Sequence, residues 1–107
     1  MAWVILIAAG LLEVVMAYSL KMSEGFSHLW WAVSFLVFAV LSFGALSFAL
    51  RSLEVGTAYA VWTGIGAVGT AALGMLLMGD DVSAVKLGSI AFIIIGVVGL
   101  NLSGAVH

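Results

Sequence analysis

Charge is scarce in this sequence: three Lys and Arg and five Asp and Glu make up 7% of 107 residues, against roughly 25% in an ordinary soluble domain. With 65% of the chain hydrophobic, a water-soluble fold would have almost nothing polar to present to solvent. Cysteine is absent, which excludes a disulfide framework, a thiolate zinc site and thiol chemistry. A formal charge of −2 leaves no basic footprint, so nucleic acid is not an expected partner. His28 and His107 stand alone, without metal-ligand spacing.

The gaps between the charges hold the fold signal. No Asp, Glu, Lys or Arg occurs in residues 25–50, 55–79 or 87–107, and the first segment is interrupted only by Glu13. Each gap is long enough for a bilayer-spanning helix of about 20 residues, whereas barrel strands would be about 10 residues long with alternating polarity. The sequence therefore predicts an all-α integral membrane protein, a single domain over 1–107, with four transmembrane helices near 3–20, 29–50, 56–78 and 84–103. Lys21 to Gly25, Arg51 to Glu54 and Gly79 to Ser83 form the connections, and Trp30-Trp31 reads as an aromatic belt at the membrane surface. Met1-Ala2-Trp3 offers no basic n-region, so the first span is expected to stay in the mature protein.

Lys21 and Lys86 fall at one membrane face and Arg51 at the other with the amino terminus. So small a bias does not fix orientation by the positive-inside rule, leaving one selected orientation or insertion both ways. The two halves of the chain show no internal repeat. The inverted repeat that many transporters carry internally could come instead from a second, oppositely inserted copy.

Glu13 is the one ionisable group deep within a span, about ten residues or roughly 15 Å along the first helix. A charge at mid-bilayer costs about 3 kcal/mol or more and usually marks a proton or ion pathway. Ala9, Gly10, Glu13, Met16 and Ala17 share its face by three-and-four spacing. These small neighbours serve either a cavity or close helix packing, and Gly10 and Met16 are candidate cavity-lining residues.

On the third span, Tyr59, Trp62, Thr63 and Gly66 recur at the same spacing and can bring a hydroxyl and an indole to Glu13. Tyr59 can hydrogen-bond a carboxylate, and Trp62 can present a π face to a cation or act as an interfacial anchor. Thr63 is a further candidate for the cavity wall. Ser42, mid-way along the second span, is another candidate donor, although membrane serines often bond their own helix. Gly64 and Gly66 form a candidate kink, and Ser89 and Gly96 are small positions suited to helix contact. Asp80-Asp81 reads as a solvated boundary pair, and the methionines form no metal-binding stripe.

Two motifs carry a family resemblance along nearly the whole chain. One is Gly10-Leu11-Leu12-Glu13-Val14-Val15, with Leu20-Lys21 and Ser23-Glu24-Gly25-Phe26 after it. The other is Gly56-Thr57-Ala58-Tyr59-Ala60-Val61-Trp62-Thr63-Gly64-Ile65-Gly66. The sequence resembles the small multidrug resistance family of four-helix exporters. Gly10, Glu13-Val14-Val15 and Ser42-Phe43 look more like its guanidinium-exporting branch than its quaternary-ammonium branch. Met16 stands where that branch typically has Trp, Gly44 where it has an aromatic, and Glu54 where Pro is common.

The resemblance implies an antiparallel, dual-topology dimer in the plasma (cytoplasmic) membrane, surrounded by lipid. The glutamates of both subunits would line one cavity that takes either protons or a cationic small molecule. Glu13, Tyr59 and Trp62 match the family's carboxylate, its hydroxyl partner and its aromatic wall, while the fourth span, with Gly96, would form the dimer contact. Protons are the implied coupling ion and no other cofactor is expected. The implied function is proton-coupled antiport of guanidinium compounds. Export of bulkier quaternary ammonium ions, or service as one subunit of an unlike pair, remains the alternative. Electrical current without exchange would identify a channel instead, and absence of cation binding or proton release would identify an accessory subunit. Neither an enzyme nor a soluble-cofactor site is expected.

Overall fold

The structure is a computed structural model, and it describes residues 1–103; His107 lies outside them. Four helices follow one another: α1 Ala2–Met22, α2 Leu29–Ala49, α3 Val55–Leu77 and α4 Ala84–Leu102. All four are long and apolar enough to cross a membrane. In hydrocarbon every backbone N–H and C=O must be satisfied within the chain, which favours unbroken helices over any open strand. Glu13 lies eleven residues into the 21-residue α1, near its midpoint.

The connections are short and locally bonded. After α1, the Ser23 hydroxyl donates to the Leu20 carbonyl at 2.7 Å and accepts from the Phe26 amide at 3.2 Å. The backbone then turns through positive φ at Glu24, Gly25 and Phe26 (47°, 73° and 67°). His28 Nε2 lies 2.7 Å from the Glu24 carboxylate. At the end of α3, Gly79 adopts φ 72°, and the Met78 and Asp80 amides both donate to the Gly74 carbonyl at 3.0 Å. Glycine takes this left-handed closing position without the steric cost of a Cβ. Ser83 caps α4 by accepting from the Lys86 amide at 3.1 Å.

Packing is uneven. α1 lies between α2 and α3, and α4 touches α3 alone among the described helices. The core comprises Leu6, Ala9, Leu46, Ala49, Leu53, Ala58, Val61 and Trp62. These residues belong to the first half of α1, the end of α2, the α2–α3 connection (Leu53) and the beginning of α3, so the core occupies the Arg51 end of the bundle. Toward the Lys21 end the helices enclose recesses of about 520 Å³ and about 190 Å³. α4 buries none of its residues, and Phe92 and Ile95 stay 78% and 65% exposed. The Cα framework measures 43 × 34 × 17 Å, so its thinnest direction holds about two helix layers.

Candidate functional site

The site is assembled where α1 crosses α3. Gly10 is buried, and a Cβ there would lie 2.7 Å from the Ile65 Cγ2, so Ile65 fills the space that this glycine leaves. Of the two roles open to Gly10, close packing is the one seen. One turn on, the Glu13 carboxylate lies directly on Gly66, where any Cβ would collide with it. Val14 sits in the same way against Gly69. A glycine row on α3 therefore receives the side chains of α1, and Glu13 is held in place by shape. Its Oε1 is buried without a hydrogen-bond partner, leaving an acceptor for a proton or a ligand N–H.

A second layer fixes this crossing from α2. The Ser42 hydroxyl donates to the Ala9 carbonyl at 2.7 Å and accepts from the Trp62 indole N–H at 3.0 Å. Ser42 thus bonds two other helices rather than its own. Ala9 is four residues before Glu13, so its carbonyl is also the helical acceptor for the Glu13 amide. Trp62 is 6% exposed, which removes the interfacial-anchor reading. Its ring contacts Phe43 at a centroid distance of 5.1 Å and Tyr59 edge-on at 5.9 Å.

Within one subunit, Tyr59, Trp62, Thr63 and Gly66 do not all reach Glu13. Trp62 and Gly66 are buried, while Tyr59 and Thr63 lie on the exposed side of α3. Tyr59 is 46% exposed and makes no hydrogen bond to Glu13 within the subunit. It lies seven residues from Gly66, about 10 Å along the helix axis, too far for direct contact at that level. The Thr63 hydroxyl donates to the Tyr59 carbonyl at 2.7 Å. Met16 is partly buried.

α3 runs unbroken through Gly64 and Gly66. Gly64 is a contact point, since a Cβ there would lie 2.9 Å from the Val97 Cγ2 of α4. Ser89 donates to the Val85 carbonyl at 2.8 Å, and Gly96 faces open space; both lie on the exposed side of α4. Sequence reasoning placed Ala9 on the Glu13 face but foresaw neither its carbonyl as the Ser42 acceptor nor Gly69 as the seat of Val14. A backbone acceptor leaves no sequence signal, but Gly69 continues a visible run of small residues. No cluster of metal-ligating side chains occurs among the described residues.

Comparison with known proteins gives this site a family. The profile of the Small Multidrug Resistance protein family matches residues 1–95. The chain belongs to the small multidrug resistance family. A guanidinium exporter of Escherichia coli (strain K12) is 50% identical over 103 residues, covering 96% of this chain and 98% of the relative. Guanidinium exporters of Yersinia pseudotuberculosis and Salmonella typhimurium are 52% and 50% identical, each over 96% of this chain, covering 99% and 98% of their own lengths. As a member of the small multidrug resistance family with four long apolar helices, this is a multi-pass membrane transporter.

Proposed function

We propose that this protein exports guanidinium and substituted guanidinium ions in exchange for protons, and that Glu13 carries the exchange. The observation that supports this most is the Glu13 carboxylate at mid-helix, laid on Gly66 with Oε1 unpartnered. An ionised carboxylate at that depth is costly without a counter-charge, so the group alternates between a bound proton and a bound cation. A planar guanidinium suits the second state because two parallel N–H groups can bond both carboxylate oxygens. The relatives at about half identity are guanidinium exporters, which supports the same substrate class.

The transporting unit is an antiparallel dimer of this chain in the plasma membrane. The Glu13 Oε1 has no partner within its own subunit, and α4 offers a face that its own chain leaves uncovered. Two oppositely inserted copies would place two Glu13 carboxylates and two Trp62 walls around one cavity. Tyr59, exposed beside Trp62, is then free to reach the cation or the partner's half of the site. Because proton and cation compete for the same carboxylates, exposing the cavity to one face at a time couples their opposite movements.

The test is reconstitution of the chain alone in vesicles with an imposed pH gradient. Guanidinium, a substituted guanidinium and an aromatic quaternary ammonium are compared. Uptake of the first two above the third is expected. Preference for the aromatic ion would transfer the assignment to bulky cations, and failure with all three would point to an unlike partner subunit.

A further inference from the structure

Beyond the crossing at Glu13, two helical rows continue toward the Lys21 face. On α1 the row is Glu13, Ala17, Lys21; on α3 it is Gly66, Thr70, Gly74. Each member follows its predecessor by four residues, the spacing that keeps side chains on one helix face. Between the rows lies the recess of about 190 Å³, whose lining includes Ala17, Lys21, Thr70, Gly74 and Asp80. At about 30 Å³ per molecule in the liquid, it has room for several waters.

A carboxylate stands near each end. Glu13 rests on Gly66, and Asp80 folds back onto Gly74, where an added Cβ would strike its carboxylate. The chain reversal at Gly79 and the bond from the Asp80 amide to the Gly74 carbonyl at 3.0 Å hold Asp80 there. Asp80 is exposed, as expected of a boundary charge, and its carboxylate also lines the α1–α3 recess. The recess ends one turn from Glu13, about 6 Å, or two hydrogen-bond lengths.

Thr70 lies between the carboxylates. The hydroxyls of Thr63 and Ser89 bond carbonyls of their own helices at 2.7 Å and 2.8 Å. Thr70 has no such bond among the described residues, leaving its hydroxyl available to the recess. Lys21 and Tyr18 are the charged and titratable groups that α1 adds to the lining. α2 carries no ionisable residue, and Lys86 of α4 is engaged with the Asp81 carbonyl.

We propose that the α1–α3 recess is a hydrated proton path within each subunit, running from Glu13 past Thr70 to Asp80 at the Lys21 face. This rests on the reading of Glu13 as the proton carrier. When a cation binds, the Glu13 proton passes to a water in the recess. It moves along water and the Thr70 hydroxyl to the Asp80 carboxylate, which gives it to bulk solvent. The cation need not share this route, because the positive charge of Lys21 lines the recess and repels it.

The test is rapid mixing of the solubilised full-length protein with guanidinium in weak buffer containing a pH dye. Asp80→Asn and Thr70→Val should each slow proton release about tenfold, with unchanged guanidinium affinity and the parental number of protons released. Thr70→Ser should restore the rate. Parental rates in both valine and asparagine variants would overturn the path. So would a loss of affinity or proton yield at unchanged rate, which would make these residues part of the cation site. Absence of proton release from the parent would refute the carrier role of Glu13 itself, a separate result from any rate change.

Discussion

The Glu13 carboxylate lies on the backbone of Gly66, in the space that any side chain at that position would occupy. The two residues come from α1 and α3 and form one unit, an acid and the gap that admits it. Nothing smaller than glycine exists, and the next smallest residue already displaces the carboxylate.

Gly66→Ala should therefore separate function from fold. The atoms in its way belong to the end of a flexible side chain, so α1 and α3 can stay packed while Glu13 swings aside. Guanidinium affinity is expected to fall at least about tenfold, equivalent to about 1.4 kcal/mol. Isothermal titration, together with the elution volume of the solubilised protein, checks both halves of the expectation.

Ser42→Ala should act on stability. It strips the Trp62 indole of its acceptor and the Ala9 carbonyl of its second donor. Interhelical hydrogen bonds in membranes contribute about 0.6–1.7 kcal/mol, and an unsatisfied buried N–H adds to the loss. Thermal unfolding in detergent should show a destabilisation of about 1–2 kcal/mol. Trp62→Phe in the Ser42→Ala background should add less than it does alone, because the shared bond is already gone.

At the α3–α4 contact, Gly64→Ala places a methyl 2.9 Å from the Val97 Cγ2. Overpacking of this kind costs about 1–3 kcal/mol. Val97→Ala removes the opposing methyl and should restore stability when combined with Gly64→Ala. Thermal unfolding of the two single variants and the double variant measures that compensation.

Substitution of Gly79 by Ala should weaken the turn that carries Asp80. Its φ of 72° costs a residue with a Cβ about 1 kcal/mol relative to glycine. The Asp80 amide bond to Gly74 should consequently exchange with deuterium faster in the variant, while amides at the centre of α3 keep their protection.

Much of the architecture was legible because charge marks the membrane boundaries. The helices end within two residues of the span limits read from charge gaps. Glu13 stood out by depth alone. The side of α3 facing it did not, because a helix that is apolar all round gives no contrast between inward and outward faces. Helical spacing grouped Tyr59 and Thr63 with Trp62 and Gly66, yet packing covers only one edge of that stripe. Ser42 was legible as a polar group but its partners were not: one is a backbone carbonyl, and the other depended on which way Trp62 turned. Asp80 is exposed as its boundary position implied, but its return onto Gly74 was not legible, because it arises from the backbone reversal at Gly79.

Proton-driven uptake of radiolabelled guanidinium into vesicles containing either the parent chain or Glu13→Gln tests the central claim most directly. Glutamine keeps the shape that fits over Gly66 and removes the exchangeable charge. Uptake that follows the pH gradient in the parent and vanishes in a folded Glu13→Gln variant is the predicted result; gradient-driven uptake by Glu13→Gln at the parental rate would contradict it.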